Sequence, residues 1–395
     1  MQEDPIVIVS SARTPMGAML GVFTEVPAWE LGGHVINAVC GRAPLPHDQV
    51  EGVIMGCVLS AGQGQAPARQ AALIANISKS SPCLTLNKVC GSGLASVTVA
   101  HDLILAGRHE IMIAGGFENM SRAPYLLTKA RTGYRLGNQE FYDHMFLDGL
   151  QDAYEKKLMG EYAEATATKF GFTRNMQDDF SRESLTRAKA AASQGWFDAE
   201  IVPVLVNSAK ESTIIDQDET VAKLKPEKIA TLKPAFHPEG TVTAANSSGI
   251  ADGAAAHLLM RASKADRLGL KPLAKIVGHY TFAHEPAWFT TAPIHAIQGL
   301  VKSIDWTLDQ VDLFEINEAF AVVTMVAIQE LNLDPKKVNV NGGACALGHP
   351  IGASGARTLT TLLYALQHRD LHRGVVALCI GGGESVALAV ERFAS

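Results

Sequence analysis

No apolar run in this 395-residue chain is long enough to cross a bilayer. None of its six cysteines (Cys40, Cys57, Cys83, Cys90, Cys345, Cys379) pairs with another at C-x-x-C spacing. The first absence excludes a membrane-spanning helix, and the second excludes a zinc ribbon or a dithiol redox motif. In a chain this long, cysteines so scattered do not make a disulfide framework, which points to a reducing compartment. Basic residues are also in short supply: 34 Lys and Arg stand against 40 Asp and Glu, for a net charge of −6. That balance gives no nucleic-acid footprint. The start, Met1-Gln2-Glu3-Asp4, is acidic where a signal or transit peptide would be basic, so a cytoplasmic location is expected. There is no Walker loop, and Gly62-Gln63-Gly64 lacks the third glycine and following acid of a dinucleotide fingerprint.

What is present is ordinary for a globular protein of two or three domains, with 47% apolar and 19% charged residues. Short β-rich runs alternate with helical patterns, which predicts an α/β fold. Strands are expected at Ile6–Ser10, Val53–Met55, Cys83–Leu86, Ile111–Ala114, Leu258–Met260, Leu313–Ile316, Val338–Asn341, Val375–Ile380 and Val386–Val390. Several are unbroken Val/Ile/Leu runs, as in strands covered on both faces. Helices are expected at Gly93–Leu105, Gln177–Gln194, Ala319–Leu331 and Ser354–His368, with Gly107 and Gly195 placed to end two of them.

The chain also carries an internal echo. Residues 87–93 lead through a helix and Gly107 to the strand and glycines of Ile111–Gly116. Asn341-Gly342-Gly343 and Gly352–Gly355 lead through a helix and Gly374 to Val376–Gly382 in the same order. A duplicated α/β unit accounts for this. Between about 120 and 249 the texture is more polar, more charged and more helical, with Arg122, Lys129, Arg131 and Arg135 in a poorly periodic section, and it reads as an insertion. The domains are therefore placed at 1–120 with 250–270, at 121–249, and at 271–395.

Three residues stand in settings suited to chemistry. Cys90 lies between a strand and a helix in Asn87-Lys88-Val89-Cys90-Gly91-Ser92-Gly93, where the helix end favours thiolate and the glycines permit close approach. It is either a nucleophile at an elbow or a small buried hydrophobe. His349 sits in the glycine-dense run 342–355, held where it could take a thiol proton. Cys379 ends an apolar strand before Gly381-Gly382-Gly383, and is either a reactive group at a strand end or a core residue. After another strand come Asn317, suited to orienting a water or the histidine, and Glu318, suited to the first turn of a helix. His34, His47 and His368 have no such setting.

Together these motifs resemble the thiolase family end to end. The resemblance is carried by Ser11-Ala12-Arg13-Thr14-Pro15, Val89-Cys90-Gly91-Ser92-Gly93 and Ala114-Gly115-Gly116-Phe117-Glu118-Asn119-Met120-Ser121. It continues through Gly240–Ala244, Asp252–Ala255, Asn317-Glu318-Ala319-Phe320, Gly348-His349-Pro350 and Cys379–Gly383. It implies duplicated α/β halves forming a layered αβαβα core, with an inserted, mostly helical loop domain. It also implies an exchange of acyl groups between coenzyme A thioesters, with no cofactor and no metal. His349 would activate Cys90 for acylation, and Cys379 would be the base for the second acyl-CoA. One oxyanion site would be His349 with a water on Asn317, and the other the amides of Cys90 and Gly381. Coenzyme A would lie along Leu158, Met159, Phe236, Ala244, Ser248, Phe289, Ala319 and Phe320. The chain departs from the family where Ala222, flanked by Lys223 and Lys225, replaces an adenine-stacking Arg, and where Leu158-Met159-Gly160 replaces His-Met-Gly.

The expected activity is acetyl-CoA C-acetyltransferase, with a broader 3-ketoacyl-CoA thiolase as the alternative. The partners are acyl-CoA substrates and further copies of the chain in a homodimer or homotetramer, with neither nucleic acid nor membrane. A decarboxylating ketoacyl synthase would need a second histidine where Asn317 stands, and a non-catalytic relative would lack one of Cys90, His349 and Cys379.

Overall fold

The structure, a computed structural model, describes residues 4–207 and 211–393. One mixed sheet dominates it. Its strands in chain order are β1 (Ile6–Arg13), β2 (Gly52–Gly56), β3 (Cys83–Leu86), β4 (Ile111–Asn119), β5 (Ala251–Arg261), β6 (Ala274–Ala283), β7 (Leu313–Ile316), β8 (Arg373–Ile380) and β9 (Glu384–Glu391). They are ordered β7-β8-β9-β6-β1-β5-β4-β2-β3, and a short strand at Gly17–Ala18 adds to β5. The sheet is a mirrored pair. Outward from the centre one half runs β1, β5, β4, β2, β3 and the other β6, β9, β8, β7, with matching parallel and antiparallel steps. Among the described residues, the two half-sheets pair through Val7 with Lys275 and Ile8 with Ala274.

The main helices are α1 (Ala28–Arg42), α2 (Pro67–Ile74), α3 (Ser92–Leu105), α4 (Met159–Phe170), α5 (Arg174–Ser193), α6 (Ala292–Ser303), α7 (Ala321–Leu331) and α8 (Ser354–His368). Strand residues alternate between faces, and the apolar clusters sort them into layers. Val7, Val53, Met55, Ile113 and Leu258 pack beneath α1 and α2. Ile6, Ile8, Ile54, Leu259, Val376, Leu378 and Val390 pack around α3 and α8. Val375, Ala377, Ala387 and Ala389 pack beneath α6 and α7. The result is the expected αβαβα stack, with α3 and α8 as its shared middle layer. The segment between β4 and β5 reaches across the seam and lays α4 and α5 against α7 of the other half.

Two expectations need correction. Val338–Asn341 is not a strand: only Val338 bridges, in parallel, to Phe314, and Asn339 takes a left-handed turn with φ +47. This residue stands where the mirror image of β3 would lie, so the second half keeps the position and loses the strand. The helix expected from Ala319 begins two residues later at Ala321, because Ala319 N–H bonds back to the carbonyl of Asn317. Gly107 and Gly195 do end their helices, with φ +70 and +71.

The middle layer is packed backbone to backbone. The carbonyl of Gly352, just before α8, lies where a Cβ on Gly116 would come within 2.0 Å, and one on Gly56 within 2.7 Å. A Cβ on Gly355 would meet the Leu94 amide at 2.4 Å. Gly116→Ala should therefore destabilise the protein by about 3 kcal/mol through overpacking. Gly41→Ala, on α1 with nothing within 4 Å, should instead stabilise by roughly 0.5–1 kcal/mol. Urea midpoints of the two variants check this, and a Gly116→Ala variant as stable as the parent would contradict the packing argument.

Candidate active site

Cys90 lies between β3 and α3, and a strained residue aims it. Val89 has φ +46, a conformation that a β-branched side chain adopts at a cost of about 1–3 kcal/mol. The turn is held by Asn87 Oδ1 accepting from the Val89 amide (2.9 Å), and by Ser92 Oγ donating to the Val89 carbonyl (2.6 Å). The glycines beside the sulfur serve close approach rather than unusual torsion. A Cβ on Gly91 would lie 2.4 Å from Ile380 Cδ1, and one on Gly93 2.8 Å from the Ala356 amide.

Those contacts bring the ends of other elements to Cys90. The main-chain N–H groups reaching its sulfur are those of Gly381 and of Cys90 itself. Cys379 is fully buried, and its thiol is pushed well above the ordinary value, first by burial and then by the neighbouring Cys90. Cys90 is half-buried against Val58, Leu59, Met120, Met145 and Ile351.

His349 arrives on the other half's loop. Gly348, at φ +94, turns the chain, and the His349 amide donates to the Gly249 carbonyl at 2.8 Å. Ser354 Oγ donates to the Pro350 carbonyl (2.9 Å), so its lone pair accepts from His349 Nδ1 at 2.5 Å. The proton is thereby fixed on Nδ1, and the buried Nε2, with no bond to the protein, presents a lone pair. Asn317, just after β7, is buried with both amide atoms equally unpartnered. Groups buried in this state are committed to a ligand or a water.

Two carboxylates hold the loops together. Glu118, at the end of β4, accepts from the amides of Val58 (2.9 Å), Leu59 (3.1 Å) and Gly352 (3.0 Å), joining the nucleophile half to the histidine loop. Burial raises its pKa to about 7. Glu318 is not a first-turn helix acid as expected. It accepts from Ser184 Oγ (2.8 Å), Asn339 Nδ2 (2.9 Å) and the Cys345 amide (3.0 Å), and its bulk requires Gly343, whose Cβ would lie 2.3 Å from the carboxyl carbon. Glu118 appeared in the sequence only as part of a motif; that its partners are amides distant in the chain was not legible there.

Of the residues expected along coenzyme A, Met159 and Phe236 of the insertion share one apolar cluster with Phe289, Ala319 and Phe320 of the second half. Ser248 bonds to the Ala319 carbonyl through both its amide (3.0 Å) and its hydroxyl (2.9 Å). Phe236 meets Phe320 edge to face at 6.1 Å, and Met159 lies 3.3 Å from a Cβ built on Gly381. Leu158 caps α4, donating its amide to Glu161 (2.8 Å); Ala244 is exposed; Phe289 is buried against Tyr162. Ala222 instead lines a cavity of about 620 Å³ with Lys189, Phe197 and Asp216, and Lys223 is paired with Glu219.

The expectation of a helix-stabilised thiolate does not hold. Burial outweighs the two amides and raises the Cys90 pKa to about 11, while burial followed by Arg357 lowers that of His349 to about 3. Both partners are neutral at pH 7. Alkylation of Cys90 by iodoacetamide should accordingly speed up about tenfold per pH unit between pH 7 and 9. A plateau below pH 8 would indicate a preformed ion pair.

The family profile described as thiolase, N-terminal domain, matches residues 6–263, and that described as thiolase, C-terminal domain, matches residues 270–392. The acetyl-CoA acetyltransferase of Cupriavidus necator is 48% identical over 98% of this chain and 99% of its own length. That of Chromobacterium violaceum is also 48% identical, over the same shares. The crystal structure of the Bacillus anthracis acetyl-CoA acetyltransferase superposes with a TM-score of 0.96 at 38% identity, covering 99% of each chain.

Proposed function

The chain belongs to the thiolase family, and from that premise we propose that it is an acetyl-CoA C-acetyltransferase, joining two acetyl-CoA molecules or cleaving acetoacetyl-CoA through an acyl-Cys90 intermediate. The reading is carried by two observations: the buried Nε2 of His349 is unpartnered and proton-free, and two thiols from opposite halves, Cys90 and Cys379, are neighbours.

His349 Nε2 takes the Cys90 proton as the sulfur attacks the thioester carbonyl, so charge separates only in the transition state. The tetrahedral oxyanion is met by the amides of Cys90 and Gly381, which already point at the sulfur. Coenzyme A leaves as its thiol, taking the Cys379 proton and leaving that sulfur as thiolate, while the Cys90 proton stays on His349. A second acetyl-CoA then loses a proton from its methyl carbon to the Cys379 thiolate, and the carbanion displaces Cys90, whose departing sulfur takes back the proton held on His349. The enolate oxygen is held by His349 and a water on Asn317, whose buried amide supports this role. A Cys379 thiol whose pKa is raised by burial suits the exchange, because its thiolate is a base strong enough to take a carbon-bound proton. No cofactor is called for, since the coenzyme A thioesters are themselves the substrates.

Coenzyme A is assigned to the surface of Leu158, Met159, Phe236, Ala244, Ser248, Ala319 and Phe320, with Phe289 behind it. The lysines near Ala222 do not replace the stacking Arg directly, Lys223 being held by Glu219. Leu136, Tyr125 and Phe141, left exposed between β4 and α4, support contact of this loop with another subunit in a dimer or tetramer. No helix among the described residues is long and apolar enough to cross a membrane.

Two measurements test the assignment. Cys379→Ala mixed with acetyl-CoA should acquire an acetyl group on Cys90 by mass spectrometry yet form no acetoacetyl-CoA; rapid condensation by that variant would remove Cys379 from its role. Because Met120, Met145 and Ile351 fill the space around Cys90, kcat/KM for acetoacetyl-CoA should exceed that for 3-oxooctanoyl-CoA by about tenfold or more. Equal values would reassign the protein to the broad-range thiolases.

A further inference from the structure

A second cluster of chemistry-bearing side chains lies at the seam between the halves, outside the groups used for acyl transfer. His101 and Asp102 are neighbours toward the C-terminal end of α3, and His279 is on β6. His101 Nδ1 and His279 Nε2 each lie 2.9 Å from the same oxygen, Asp102 Oδ1, and the three atoms fall within 4.8 Å of one another. The two rings meet edge to face, 5.4 Å between centroids at 86°. The imidazoles are largely covered, with side-chain exposures of 12% and 24%, while Asp102 at 57% leaves a path to solvent.

We propose that His101, Asp102 and His279 form a divalent transition-metal site, for Zn²⁺ by preference, that staples α3 of the first half to β6 of the second. Ligands about 2.1 Å from a tetrahedral zinc stand roughly 3.4 Å apart. The two 2.9 Å contacts therefore need to open by only about half an ångström, and the imidazoles close toward each other around the ion. On binding, each ring gives up the N–H that donates to Asp102 and carries its one proton on the other nitrogen instead, so that a lone pair faces the metal. Solvent completes the fourth position through the exposed side of Asp102. Two imidazoles with a single carboxylate suit zinc over Mg²⁺ or Ca²⁺, which take oxygen ligands. An ion at this position would brace the join between the half-sheets, because β6 is the strand whose Ala274 and Lys275 supply the main-chain pairing across it.

The test uses metal-stripped full-length protein with Cys90 alkylated, titrated with ZnCl2 alone by calorimetry and thermal melting. One Zn²⁺ per chain is expected, with Tm rising about 3 °C at a hundredfold excess over Kd. His279→Gln should weaken binding at least tenfold and abolish the Tm rise, while the unalkylated variant keeps the parent's turnover. On the unmutated chain, Co²⁺ should give a visible d–d spectrum without a thiolate charge-transfer band, a readout that does not depend on how the variant folds. No saturable binding, binding unchanged in His279→Gln, or a thiolate band would each overturn the site.

Discussion

The site depends on how closely two main chains approach in the middle layer. The Gly352 carbonyl sits over Gly56, Gly93 and Gly116, at distances that leave no room for a single methyl group, and the Gly352 amide is held by Glu118. His349 lies three residues before this contact, and Cys90 begins the helix on its other side. A gap of one methylene here would move the histidine loop away from the sulfur, and catalytic geometry tolerates little displacement of that kind. The glycines are thus a distance constraint between two halves whose sheets, among the described residues, share two residue pairs.

Burial then sets the charge state. The thiols are raised and the imidazole lowered by the same desolvation, so the reacting groups meet as neutral species. The two carboxylates nearest the loops escape the full penalty because backbone and hydroxyl donors surround them. Each uses those bonds to fix a loop: Glu118 locks Val58, Leu59 and Gly352, and Glu318 locks Cys345 and, through Ser184, Gly343. Rigid loops and neutral reactants belong together, since donors already in place stabilise charge as it forms without reorganising.

How much of this could be read from the chain follows from the range of the interactions. Cys90, His349 and Cys379 stood out because glycine-dense turns at strand and helix ends are local features, and the echo between halves is a matter of order along the chain. The strand β6 left no comparable mark: its faces are only half-buried and a bulge between Ile276 and Gly278 breaks the alternation. Helix α1 was hidden by Gly32 and Gly33, poor helix formers present because Phe117 and Ile74 press against them. The thiolate expectation failed for a related reason. The dipole of α3 is local and visible, whereas the burial that overrides it comes from Ile351, Met145 and other residues far away in sequence.

The duplication explains why the chemistry is divided as it is. Each half presents the same loop ends: after β2 and β7, after β4 and β8, and before α3 and α8. In the first half, the end of β4 carries the structural Glu118 and only the turn before α3 carries a reacting atom. In the second half the equivalent of β4 ends in Cys379, the equivalent of β2 ends in Asn317, and the turn before α8 carries His349. In the proposed reaction one thiol holds an acyl group while the other moves a proton, and the two come from different loop ends. Placing them on opposite halves lets the middle-layer contact, rather than either loop alone, set their separation. The loss of the strand at Val338 fits this division, because the run from Asn339 to Gly348 needs left-handed turns to bring His349 inward, and a paired strand would have held it in line.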